Sequence, residues 1–231
     1  MNIQQTARTI AGAGVIFAAC AVPVETGPPI ADPGVTAARL LRRSGPDEPS
    51  LVRFEWKYSD RRGSVEGDGA ARFNPPDSLR LDLFTSGEVA MAVALAGRNL
   101  SSLGEIEDVE VPPGAFLFAM AGLFRPRGDE APRGFEADGD TVLVYGEDTE
   151  KLYFFARAGR LVQVEERRHG SLRRKVELEW GEHEKWPTRA EFRDFDEHSR
   201  VRWTVGDTRI MEAPYSSDIF TLPNDRPSDG R

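Results

Sequence analysis

A chain of 231 residues, 39% hydrophobic and 29% charged, is long enough and apolar enough to bury one sizeable core. Its 30 basic and 38 acidic side chains leave a net charge of −8, which phosphate backbones and anionic head groups repel. That balance argues against nucleic acid as a partner and requires any membrane attachment to be apolar. The single cysteine excludes a disulfide scaffold and a multi-cysteine zinc site.

Residues 1–19 read as a secretory signal. The start is polar and ends in Arg8, Ile10 to Ala19 is uncharged and apolar, and small residues lead into Cys20. The apolar stretch is shorter than the ~20 residues that a bilayer span needs. Phe17-Ala18-Ala19-Cys20 resembles the bacterial lipobox, although Phe17 replaces the usual leucine. That resemblance implies cleavage before Cys20 and acylation of its thiol by diacylglycerol carrying palmitate-like chains. At about 0.8 kcal/mol per buried methylene, such a group is a near-permanent membrane anchor. Ala21, where aspartate would signal inner-membrane retention, implies delivery to the outer membrane with the domain facing the periplasm. Pro23, Pro28, Pro29 and Pro33, with Gly27 and Gly34, make residues 20–34 read as an extended tether.

A helix is predicted over residues 35–43, with Asp32 or Thr36 as its cap, Leu40 and Leu41 on its apolar side and Gly45-Pro46 as its stop. From Leu51 the period becomes two. Val52, Phe54, Trp56 and Tyr58 alternate with Arg53, Glu55 and Lys57, so one strand face is wet. A second strand runs to Phe73, and the turn Asn74-Pro75-Pro76-Asp77 leads to a third carrying Leu79, Leu81 and Leu83. After Ser86-Gly87, the large residues Val89, Met91, Val93 and Leu95 alternate with Ala90, Ala92, Ala94 and Ala96. A strand apolar on both faces requires cover on each side.

Pro112-Pro113 opens a second predicted helix, over residues 113–124, with Phe116, Leu117, Phe118, Met120, Leu123 and Phe124 and no charge. A helix apolar all round is buried or covers an apolar opening. Six further strands are predicted at 141–145, 151–157, 160–168, 172–180, 188–195 and 201–205, with short connections that favour antiparallel pairing. Residues 224–231 are a polar tail. The expected fold class is therefore α+β, with about ten strands, in one domain over residues 35–223.

Several features together resemble the LolA/LolB lipoprotein-carrier superfamily: the lipobox, the early helix, the text from Gly69 to Asp82, Trp186-Pro187-Thr188 entering a strand, and the closing Asp218-Ile219-Phe220. The resemblance implies a strongly curved, incompletely closed antiparallel β-barrel. It also implies helices as a lid on the open side, over an apolar cavity for acyl chains of lipoproteins or lipids. Two departures stand out. The short turn Thr85-Ser86-Gly87-Glu88 lacks the apolar tip of the outer-membrane receptor type, and an acylated Cys20 departs from the soluble carrier type.

Candidate cavity residues are Phe54, Trp56, Leu81, Met91 and Val93 on the sheet, with Phe116, Met120 and Leu123 on the lid; Cys20 is the lipidation site. Their partners are expected to be the membrane, through the anchor, and lipoprotein acyl chains or lipids. The alternative is a periplasmic sensor or scaffold of the same fold type that binds an envelope protein on its outer surface. No cofactor or metal is expected and no enzymatic activity. His169, His183 and His198 sit in polar turns, and no nucleophile elbow, phosphate loop or dinucleotide fingerprint occurs. The basic runs Arg167-Arg168 and Arg173-Arg174-Lys175 read as solvated strand ends.

Overall fold

The computed structural model describes residues 27–97, 99–104, 109–126, 130–147, 149–182 and 184–222. Cys20, His183 and the tail beyond 222 lie outside the described residues.

The first helix, α1, spans Pro33–Arg43. Asp32 caps it, its Oδ1 accepting from the Val35 amide at 2.9 Å, and Pro33 takes the first helical position, where a missing N–H costs nothing. Arg42 and Arg43 lie in the last turn, where cations suit the helix dipole. Its buried side is Ala37 and Leu40.

The strands are β1 (Ser50–Ser59), β2 (Ser64–Asn74), β3 (Ser78–Thr85), β4 (Glu88–Ala96), β5 (Asn99–Gly104), β6 (Arg133–Ala137), β7 (Asp140–Tyr145), β8 (Glu150–Arg157), β9 (Arg160–Arg168), β10 (Ser171–Glu179), β11 (Arg189–Asp194) and β12 (Ser199–Ile210). Among the described residues they form one antiparallel sheet in the order β5-β4-β3-β2-β1-β12-β11-β10-β9-β8-β7-β6. Only the β1–β12 pairing joins strands distant in sequence, and it stitches two meanders into one surface. The sheet does not close, because β5 and β6 are its two ends.

The strand count corrects the sequence reading from about ten to twelve, and the two additions are the sheet edges. In β5 no residue is buried, so no period-two signal is written there. Only five residues long, β6 places Phe135 alone in a core. An edge strand is constrained on one side, and its sequence records little. The β6 edge is covered by the chain's own start: the Ile30 amide donates to Gly134 O at 3.1 Å and the Glu136 amide to Pro28 O at 2.9 Å. The described end of the proposed tether thus lies along the sheet.

The second helix, α2 (Gly114–Met120), shows how far the sheet bends. A Cβ placed on Gly114 would stand 3.1 Å from Leu95 Cδ2 on β4. Phe116 packs on Phe192 of β11, with ring centroids 5.4 Å apart, and Phe124 just beyond the helix packs on Phe154 of β8 at 4.9 Å. In a flat sheet the eight strand spacings from β4 to β8 would amount to ~38 Å. A seven-residue helix is ~10 Å long. The sheet therefore wraps around α2, and the wrapped interior is the main core.

The convex side is covered in places. Ala92 and Ala94 of β4 form a small cluster with Leu222, so the alanine face is filled by the C-terminal segment. Asn74 ties that segment down, accepting from the Tyr215 amide at 3.0 Å and donating to Tyr215 O at 2.8 Å. Arg80 donates to Ile219 O at 3.0 Å. A second outer cluster of Phe135, Val142, Val144 and Tyr153 occupies β6 to β8.

Candidate functional site

Strand register decides which side chains share the interior. Phe54 of β1 pairs with Gly69, Gly69 with Leu83, and Leu83 with Met91. Ala71 pairs with Leu81 and Leu81 with Val93, while Trp56 faces Trp203 across β12. Directly paired residues point to the same face of a sheet. Phe54, Trp56, Leu81, Met91 and Val93 thus share the concave side, at 2–4% exposure. Phe116, Met120 and Leu123, at 0–1%, belong to the same apolar cluster. All eight cavity candidates meet in one place. Cys20 lies outside the described residues.

Glycine makes room on the sheet side. A Cβ at Gly69 would come within 2.3 Å of Phe54 Cζ, so the ring lies over bare backbone and stacks on Trp203 at 4.9 Å. Trp56 satisfies its indole N–H on Asp68 O at 2.9 Å, which leaves the rest of the ring apolar.

The helix is shorter than the expected 113–124, and its end has a definite cause. Gly122, at φ +76°, donates to Ala119 O at 2.7 Å, and the Leu123 amide reaches back to Phe118 O at 2.9 Å. This pair of bonds is the Schellman arrangement, which requires a left-handed residue. Leu123 and Phe124 therefore enter the core from an irregular segment. Gly122→Ala is expected to cost about 2 kcal/mol in denaturant unfolding, combining left-handed strain with crowding, because its Cβ would lie 2.6 Å from the Trp180 ring. A neutral result would mean that this cap does not hold α2.

At the β4–β5 end, the interior opens into a cleft of about 590 Å³ whose walls include Leu95, Leu100, Ala115 and Phe118, with Asp77 and Arg125 at its polar margin. Such a volume is in the usual range of ~300–1,000 Å³ for small-molecule sites. Arg125 donates to Phe124 O at 2.7 Å, to Ser44 Oγ at 3.5 Å and to Pro76 O. It joins the α1–β1 loop, the β2–β3 turn and the segment after α2. Burial pushes its guanidinium below the usual value, and the Asp77 charge works the other way. Sequence reasoning missed this margin, because only the folded path of two loops brings residues 77 and 125 together. A second cleft of about 720 Å³ runs beside Phe54, Phe84 and Val205 where β1 and β12 slip register.

The polar groups of the fold gather on the convex side and are engaged with each other. Glu191 takes Arg193 at 2.6 Å, Arg202 at 3.2 Å and Arg200. Its burial opposes ionisation, but the hydrogen bonds and charges of Arg200 and Arg193 prevail and hold its carboxyl down at about 2. A carboxyl depressed on folding stabilises the fold above its unfolded value near 4.5 and loses that contribution as pH falls toward 2. The acid limb of stability between pH 4.5 and 2 is thus expected to flatten in Glu191→Gln, read by urea midpoints across that range. An unchanged limb would contradict the assignment.

The basic run also differs from its sequence reading. Arg174 is largely withdrawn from solvent: it donates to Asp194 Oδ2 at 2.7 Å and to Glu166 Oε2 at 3.0 Å, both carboxylates being nearly inaccessible. His169 and His198 occupy turns at φ +49° and +55°. His198 faces Arg61 at 2.5 Å and the Asp196 carbonyl at 3.0 Å. Among the described residues, no three His, Cys, Asp or Glu side chains gather as a metal ion would need, and no helix is long and apolar enough to cross a membrane. Tyr145 reaches into the apolar interior against Phe124 and Phe154, and burial pushes its phenol up to about 12.

No family model matches the chain, and no curated protein matches it in sequence. Solved structures do. A LolA superfamily protein from Nitrosomonas europaea superposes with a TM-score of 0.57 at 15% identity, over 84% of this chain and 99% of that one. A domain named for outer membrane lipoprotein sorting, from Vibrio parahaemolyticus, gives 0.55 at 12% identity, over 80% and 94%. At such identities the likeness is one of fold, and it extends over nearly the whole of each neighbour. The open antiparallel sheet wrapped around an apolar helix is thus a fold that this chain shares with a solved LolA superfamily protein.

Proposed function

We propose that the chain is a non-catalytic, lipid-anchored envelope protein whose concave face accommodates acyl chains of lipoproteins or lipids. The observation that carries this reading is the wrapped interior itself. Phe54, Trp56, Leu81, Met91 and Val93 line it without a charge, and a short, wholly apolar helix fills it. A chain entering between α2 and the sheet exchanges water for hydrocarbon at about 25 cal/mol per Å² of apolar surface. The helix α2 acts as the lid, and Gly122 and Arg125 mark where it is hinged and held. The solved neighbours, one of them named for lipoprotein sorting, support the assignment through their fold.

The anchor completes the proposal. Acylated Cys20 fixes the domain to the outer membrane, facing the periplasm. Metabolic labelling with a fatty acid is expected to tag the natural chain and not Cys20→Ala; label persisting in the variant contradicts the anchor. The cavity is tested separately by native mass spectrometry of gently purified full-length Cys20→Ala. Co-purifying lipid is expected. A lipid-free protein that captures an envelope protein instead would favour the sensor or scaffold role.

A further inference from the structure

The cleft at the β4–β5 end of the interior differs from the interior proper in having two opposite charges at its margin. Leu95 and Phe118 are almost completely buried, while Leu100, on the edge strand β5, is 44% exposed. The floor is thus apolar, and one apolar wall reaches solvent. Arg125 and Asp77 stand on the same rim. A guanidinium has five N–H donors. Among the described residues, three hydrogen bonds from Arg125 go to Ser44, Phe124 and Pro76, all of them neutral acceptors. The Asp77 carboxylate approaches Gly97, where a Cβ would lie 3.5 Å from Oδ2. Its main-chain carbonyl accepts from the Gly97 amide at 3.1 Å. The two opposite charges act on each other across the rim without a salt bridge among the described residues, so a ligand at the cleft mouth meets both.

A greasy floor with one cation and one anion at its mouth is complementary to a molecule with an acyl chain and a head group of both signs. A purely anionic head group would meet Asp77 as well as Arg125, and an uncharged one would engage neither charge. From this charge complementarity we infer that the cleft binds a zwitterionic phospholipid with its acyl chain along Leu95, Leu100 and Phe118, its phosphate on Arg125 and its ammonium on Asp77. The inference rests on the acyl-chain reading above and adds head-group selection to it. About 590 Å³ suits one chain and its head rather than a whole two-chain lipid, so the lysophospholipid form is the appropriate probe.

The test compares three single-chain ligands below their critical micelle concentrations on the full-length Cys20→Ala protein by calorimetry: lysophosphatidylethanolamine, lysophosphatidylglycerol and a monoacylglycerol of the same chain length. The ethanolamine lipid is expected to bind about tenfold more tightly than either of the others, the scale of one charge-assisted hydrogen bond. Asp77→Asn is expected to abolish its advantage over the glycerol phospholipid. Arg125→Gln is expected to bring both phospholipids down to the monoacylglycerol. Because Arg125 also bridges three segments, its variant is checked by thermal melting, and Asp77→Asn keeps the test independent of that bridge. Equal binding of all three ligands, or tightest binding of the glycerol phospholipid, overturns head-group selection while leaving the acyl-chain reading intact. Binding of none overturns both.

Discussion

Replacing Phe116 by alanine is expected to destabilise the fold by about 3–5 kcal/mol, the usual cost of removing a fully buried ring from a core that cannot collapse. The collapse is prevented by what surrounds the ring. Phe116 has no exposed surface and packs against Phe192 from a helix that the sheet encloses. Its neighbours on α2 are themselves buried on every side. Chemical unfolding monitored at the tryptophans measures the loss. A cost under 1 kcal/mol would mean that α2 is not packed as described. The same substitution enlarges the interior beside Met120, so the variant is also expected to retain more lipid on purification than the natural protein.

Arg174→Met is expected to cost about 3 kcal/mol or more at neutral pH. Its side chain is 20% exposed, and it serves Glu166 at 2% and Asp194 at 4%. Removing the shared cation leaves two buried carboxylates without their counter-ion, which is far worse than removing the whole network. Burial, aided by a hydrogen bond with Glu150, already holds the Glu166 carboxyl above its ordinary value despite Arg174. Asp194 is held below its own, because Arg174 and the Glu197 and Asp196 amides outweigh burial. Without Arg174 both carboxyls rise. An acid whose folded value lies above its unfolded value destabilises the fold when ionised and is relieved on protonation. The deficit of Arg174→Met is thus expected to be largest at pH 7 and to narrow by pH 5, in urea midpoints across that range. A deficit independent of pH would show that lost packing, not stranded charge, is the cause.

How much of this was legible beforehand depended on whether a residue's role is written locally. Strands with one wet and one dry face declared themselves through alternation, as at Val52, Phe54, Trp56 and Tyr58, whereas strand register is what places Leu81, Met91 and Val93 on the face of Phe54. The edges β5 and β6 did not, because a strand with little to bury has no reason to alternate. The double-apolar pattern of β4 was readable as a demand for cover on both sides, but not that Leu222 supplies it on Ala92 and Ala94. Overextension of α2 by four residues came from reading an unbroken apolar run as helix. Gly122 inside that run was the available signal, since its positive φ caps a helix that ends at Met120, four residues before Phe124. The Arg174 network could not be read at all. Three residues on β9, β10 and β11 become neighbours only through strand register, and nothing in a run of basic residues distinguishes a buried cation from a solvated one.

The most direct test of an acyl-chain interior is photo-crosslinking with a fatty-acid probe carrying a diazirine along its chain, followed by mapping of the modified peptides of the full-length Cys20→Ala protein. Labels are predicted on the concave strands and the helix, at Leu81, Met91, Val93, Phe116 and Met120. Labelling confined to the convex face, or competed away by a water-soluble protein partner but not by unlabelled lipid, would contradict the account.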